Sequence, residues 1–143
     1  MKKPRPESNT SHLAGEYFVA AELYKRGYSV ALTIGNAKAI DLFAEKRRRT
    51  VNVQVKAIRY RRNVGWPIQK TRVWTNVIHV FVCLNEEGTP LSYFIATAPE
   101  VRPRVRQYST RGIINYGTLN TSQFRDRWDK IEAALHSPIG RAL

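Results

Sequence analysis

Residues 38–58 read KAIDLFAEKRRRTVNVQVKAI, and the fold turns on how this stretch is read. Successive side chains of a strand point to opposite faces. In TVNVQVKAI, Val51, Val53, Val55 and Ala57 therefore share one face, and Asn52, Gln54 and Lys56 share the other. Asp41 interrupts the preceding apolar run, AIDLFA, in the same way. A polar row of this kind is either a solvated sheet face or a site, and spacing does not choose between them.

Working outward, KRRR at 46–49 is short enough to join two strands as a hairpin, and GNAK at 35–38 separates the second run from an earlier one, YSVALTI, starting at Tyr28. Before these, the pattern predicts a helix from Ser11 to about Lys25, with Asn9, Thr10 and Ser11 available as N-caps. Its apolar stripe reads Leu13, Tyr17, Ala20 and Tyr24, and Gly27 is placed to end it. Downstream, VIHVFVCL and LSYFIATA read as strands joined through NEEGTP, and PEVRPRVRQY holds a short helical turn. TSQFRDRWDKIEAAL reads as a closing helix, capped by Thr121 or Ser122, with Phe124, Trp128, Ile131 and Leu135 in its stripe. Residues 59–72 are basic and aromatic and match no regular pattern. Residues 1–9 are expected to form a flexible basic arm and residues 10–143 a single domain. The predicted fold is α/β, a central mixed β-sheet flanked by helices in the order αβββ-x-ββ-α.

Charge separates this chain from an average one. Among its 143 residues, 24 are Lys or Arg and 11 are Asp or Glu, a formal net charge of +13. Such an excess repels itself in the compact state, and its usual use is to attract a polyanion; the plainer alternative is a basic soluble protein. No apolar run approaches the roughly 20 residues of a membrane-spanning helix, and no secretory apolar core follows MKKPRPESNTSH. Cys83, the single cysteine, lies within VIHVFVCLN and reads as a buried thiol in a reducing, intracellular compartment. No zinc-ligand spacing, glycine-rich phosphate loop or Ser-His-Asp signature is present.

Three polar residues stand where apolar ones would be expected. At 100° per residue, Glu16 lies about 60° from Leu13 and about 40° from Ala20, so it borders the helical stripe. A carboxylate facing a sheet is costly to desolvate unless a cation or donor meets it. Asp41 has the same difficulty between Ile40 and Leu42, and Lys56 lies opposite three valines. Together with the Gln54 amide oxygen, these groups make an oxygen-rich set suited to a hard divalent cation.

Glu16 on a leading helix, then Asp41, then Gln54-x-Lys56 on the following strand resembles the PD-(D/E)XK nuclease superfamily. Among its branches the pattern is closest to archaeal-type Holliday junction resolvases, which add a helix glutamate, and to Mrr-type restriction endonucleases, in which Gln often replaces the last acidic residue. The resemblance spans residues 13–58 and implies a restriction-endonuclease-like core. It departs from the pattern at AID, where the family name has PD, and at Gln54, where an amide removes one negative charge. The resemblance implies Mg2+ or Mn2+ as cofactor. Asp41, the Gln54 side-chain oxygen, the Val55 backbone carbonyl and Glu16 would be its ligands, with Lys56 positioning water and offsetting charge on phosphorus.

The implied activity is hydrolysis of DNA phosphodiester bonds, on double-stranded or branched DNA, with a homodimer where two strands are cut symmetrically. Arg59, Arg61, Arg62, Lys70 and Arg72 would neutralise phosphates while Trp66 stacks on bases. The alternative for this segment is that Trp66 and Trp74 pack on the core. Arg102, Arg104, Arg106 and Arg111 form a second basic set. His79 reads as a structural imidazole, and His12 as a lesser member of the site near Glu16. Two other functions fit the same sequence: a nuclease-like fold that only binds nucleic acid, or a small basic structural protein of a ribonucleoprotein or nucleoid.

Overall fold

The computed structural model describes residues 8–34, 39–60, 64–138 and 140–142. A leading helix, α1 (Ser8–Lys25), is followed by strands β1 (Ser29–Leu32), β2 (Leu42–Lys46) and β3 (Arg49–Ile58). A three-residue strand, β4 (Gly65–Pro67), and a 3-10 turn, Lys70–Arg72, lead to β5 (Ile78–Cys83) and β6 (Ser92–Ala96). The chain closes through α2 (Ala98–Val101), a 3-10 turn at Arg102–Arg104, β7 (Arg106–Gln107), β8 (Gly112–Asn115), α3 (Tyr116–Leu119), α4 (Asp129–Leu135) and β9 (Arg141–Ala142).

The main sheet runs β1-β2-β3-β5-β6, with β9 against the start of β3. It is mixed: β1, β2 and β3 are antiparallel neighbours, β3 and β5 run parallel, and β5 and β6 are antiparallel. The turn from β2 to β3 is tight, Lys46 pairing with Arg49, and it places Arg47 at φ 53° and Arg48 at φ 62°. Two successive positive φ values match the twist of a two-residue hairpin, a conformation normally left to Asn and Gly. Arg47 is held there by a salt bridge to Glu132 of α4.

Both faces of the sheet are covered. On one, Val51, Val53 and Val55 of β3 and Val80 and Val82 of β5 pack with Val19 and Leu23 of α1 and Ile131 and Leu135 of α4. On the other, Phe81, Cys83 and Phe94 pack with Trp66 and Ile114 of a second, three-stranded sheet, β4-β8-β7, and with Val101 and Leu119. The expected α/β architecture of a central mixed sheet flanked by helices is present, and the irregular segment between β3 and β5 holds β4.

Three elements differ from the sequence reading. Helix α1 begins at Ser8, so Asn9, Thr10 and Ser11 lie inside it and do not cap it. Its buried face is Gly15, Glu16, Val19, Ala20 and Leu23, while Leu13, Tyr17 and Tyr24 of the expected stripe are exposed. Gly15 explains the choice of face, because a Cβ there would lie 2.4 Å from Cβ of Ala57, so only this face lets α1 approach β3. Gly27 does end the helix, at φ 90°, with Tyr28 N–H donating to Leu23 O. The closing helix is shorter than predicted. Asp126 adopts φ 53° and donates its N–H to Tyr93 O, which breaks the helical path and sends Phe124 to one core and Trp128 to the other. The second strand starts at Leu42 rather than Ala39, leaving Asp41 just outside the regular ladder.

His79 lies on β5, fully buried, with Nε2 3.3 Å from Trp74 O. Burial pushes its pKa down from 6.5 to about 4, so it folds neutral. The unfolded chain takes up that proton below about pH 6.5 and the folded one only near pH 4. Stability should therefore fall with pH across this window, by about 3 kcal/mol for a gap of about 2.5 pH units. Urea unfolding of wild type and His79→Gln at pH 7 and pH 4 should show that difference as a larger loss on acidification in the wild type. Equal pH slopes would refute it.

Candidate active site

The site forms where β2 and β3 part and the first turns of α1 cross them. On α1, His12 and Glu16 are four residues apart and point the same way, with His12 Nε2 3.2 Å from Glu16 Oε1. Asp41 is fixed by its backbone first. Its N–H donates to Val53 O at 2.9 Å, and its own carbonyl accepts from Thr33 N–H and from the Thr33 hydroxyl. Carrying the β2–β3 register one residue further sets Asp41 opposite Gln54. Its side chain turns toward β3, where Oδ2 accepts the Val55 N–H at 2.7 Å. Oδ1 lies 3.6 Å from His12 Nε2. One ligand atom each from His12, Glu16 and Asp41 lie within 4.8 Å of one another.

Both carboxylates are 2% exposed, whereas the His12 side chain is 37% exposed and forms the side of the site open to solvent. Burial acts to raise the Asp41 pKa, but hydrogen bonds from His12 and the Val55 N–H outweigh it and hold the carboxyl below its ordinary value. Lys56, two residues beyond Gln54, is half-buried. Burial lowers its pKa; the Asp41 charge opposes this and the Arg72 charge adds to it. Gln54 is buried, and its Oε1 has no hydrogen-bond partner among the described residues. An amide oxygen left bare in the interior costs free energy unless something outside the chain meets it.

The structure thus gathers Glu16, Asp41 and Lys56 in one region and adds His12, whose four-residue spacing from Glu16 was the only sequence signal of its place. Val55 takes part through its N–H, a role the sequence did not reveal. The basic segment divides. Lys70 and Arg72 are exposed on a 3-10 turn, and exposed Arg59 donates to the Ser11 hydroxyl, joining the end of β3 to α1. Arg61 and Arg62 lie outside the described residues. Trp66 corrects the sequence reading: it is fully buried, donates its indole N–H to Val82 O at 3.0 Å and packs against Phe81, Phe94 and Tyr116. It belongs to the core that joins the small sheet to the large one and offers no face to a base.

The close seat of α1 on β3 sets the position of His12 and Glu16 and has a direct test. Gly15→Ala would bring its Cβ to 2.4 Å from Cβ of Ala57, a clash that only backbone movement relieves. It should cost about 1–3 kcal/mol in denaturant unfolding. Adding Ala57→Gly should return most of that, less about 0.5–1 kcal/mol for a glycine in a strand. Additive losses in the double variant would show that the contact does not hold α1.

No protein-family model and no curated protein matches the sequence. Among solved structures, the chain is similar to the bacterial homing endonuclease I-Ssp6803I, at 14% identity and TM-score 0.66, over 92% of this chain and 99% of that one. It is also similar to Hjc, a Holliday junction resolvase from the archaeal hyperthermophile Archaeoglobus fulgidus, at 11% identity and TM-score 0.56, over 85% and 95%. The chain accordingly shares the fold of these two nucleases, with the central mixed sheet flanked by helices that the sequence led us to expect.

Proposed function

We propose that the protein is a divalent-metal-dependent endonuclease acting on DNA, structure-specific toward junctions or branches. The observation that carries this reading is the burial of two carboxylates, Glu16 and Asp41, beside Lys56 in a chain of net charge +13 with a nuclease fold. Adjacent buried carboxylates are costly without a cation. The donor set fits a hard one: Asp41, Glu16 and the bare Gln54 Oε1 are oxygens, as Mg2+ or Mn2+ prefers, and His12 stands on the solvent side. Asp41, Gln54, Glu16 and the Val55 carbonyl would hold the ion. When bound, it supplies Lewis-acid polarisation of the scissile phosphate and a water of lowered pKa.

The chain's own residues supply the rest. The Val55 N–H fixes one Asp41 oxygen, so the other is turned toward the cluster. Lys56 orients the attacking water and offsets charge developing on phosphorus. A pKa held down by burial lets its ammonium exchange a proton more readily than a surface lysine does. Cutting both strands of a duplex symmetrically calls for a second copy of the site, which a homodimer provides.

A second reading rests on Gln54, whose amide contributes one charge fewer than a carboxylate: the chain binds DNA without cutting it. Incubating the protein with supercoiled plasmid and with a four-way junction in Mg2+, Mn2+ or EDTA separates the two. The first reading expects nicks or junction resolution with metal and none in EDTA. Cleavage that survives EDTA would overturn it, and tight binding without cleavage under any metal would establish the second.

A further inference from the structure

The hairpin from β7 to β8 has no part in the site, yet it is built as a projecting basic element. Residues 106–111, RQYSTR, are all exposed. Tyr108, the first residue after β7, is 54% exposed and makes no ring contact among the described residues. Burial gives the fold no reason to keep an aromatic side chain there.

The hairpin is nonetheless rigidly held. The Tyr108 N–H donates to Arg111 O at 2.7 Å, closing the turn. Gln107 ties it inward and outward at once: Oε1 accepts the Lys70 N–H at 2.9 Å, while Nε2 donates to the carbonyls of Tyr108 and Arg111. Gln69 Nε2 donates to Thr110 O at 3.2 Å. Gly112 permits the approach, since a Cβ there would lie 2.3 Å from Ile68 O. A loop fixed in this way binds without first losing its own conformational freedom.

The charge around it is of one sign. No acidic residue occurs between Glu45 and Glu86, a span with ten Lys or Arg, nor between Glu100 and Asp126, a span with five Arg. Among the described residues, Lys70, Arg72, Arg106 and Arg111 form no ion pair with an acidic group. The hairpin is bonded to the Lys70–Arg72 turn, which leads into β5, the neighbour of the strand that carries Gln54 and Lys56.

We infer that the β7–β8 hairpin enters a groove of duplex DNA beside the scissile phosphate, with Arg106 and Arg111 on backbone phosphates and Tyr108 against the groove floor. A two-stranded ribbon fits the major groove. Single-strand binders instead line a track with successive aromatics, and Tyr108 stands alone on this hairpin. This inference rests on the DNA-directed function proposed above and gives that function a second contact, away from the metal ligands.

Fluorescence anisotropy with a 30-bp duplex in EDTA, over a series of salt concentrations, tests it. Arg106→Ala with Arg111→Ala should weaken binding about 10-fold or more near physiological salt and lower the log–log salt slope by about one to two. Tyr108→Ala should weaken binding about 5- to 100-fold with the slope unchanged, because it removes no charge. All three positions are exposed, and unaltered circular dichroism would show the variants folded. If the wild type binds and both variants match it in affinity and slope, the hairpin is not a contact, although the proposed function stands. If the wild type binds neither the duplex nor a four-way junction, that function itself fails; if it binds the junction but not the duplex, the groove placement fails. Variants weakened on single-stranded DNA but not on the duplex would overturn the groove placement.

Discussion

Asp41→Ala should abolish metal-dependent cleavage, by at least about 10³-fold, while leaving DNA affinity in EDTA within about twofold of wild type. The fold grips Asp41 from both its main chain and its side chain, through Val53, Thr33 and the Val55 N–H. Its loss would remove a proposed metal ligand without removing positive charge from the surface proposed to hold DNA. Lys56→Met keeps the apolar stem and removes the ammonium, and it should cost about 10²–10³-fold in rate with metal affinity little changed. Gel-based cleavage over a Mg2+ titration distinguishes them. If Asp41→Ala cleaves as wild type does, the site lies elsewhere.

Trp66→Ala should be the most destabilising single change in the chain outside the site, costing about 3–5 kcal/mol in denaturant unfolding. The indole is fully buried, fills the space between the two sheets beside Phe81 and Phe94, and caps the Val82 carbonyl. Trp66→Phe keeps a ring but removes the N–H that donates to the Val82 carbonyl, and should cost about 1–3 kcal/mol. Under conditions where both variants remain folded, DNA affinity should be that of the wild type. A Trp66 variant of normal stability and weakened DNA binding would restore the base-stacking role that the sequence had led us to expect.

Trp66 also shows where sequence reading stops. It lies among arginines in a stretch without periodicity, and the three-residue strand that buries it is too short to leave a pattern. The long strands were readable because β5 and β6 carry apolar runs suited to a sheet covered on both faces, and β3 alternates apolar and polar residues with the period of a strand. Asp41, Glu16 and Lys56 stood out for the same reason, as charges where burial was expected. Helix α1 misled because both its sides are apolar: Val19, Ala20 and Leu23 on one, Leu13, Tyr17 and Tyr24 on the other. Hydrophobicity favours the larger residues, whereas the close approach at Gly15 selects the smaller ones. The closing helix misled because a positive φ at Asp126 leaves no mark on an otherwise helical pattern.

If Asp41 and Gln54 hold a divalent ion between them, as proposed, a crystal soaked in Mn2+ will show it. The expected result is an anomalous peak within about 2.0–2.6 Å of an Asp41 carboxylate oxygen and of Gln54 Oε1, with Glu16 bound directly or through one water. The peak should vanish in Asp41→Ala. A protein that cleaves DNA in Mn2+ yet shows no peak there, or shows one bound by other residues, would contradict it.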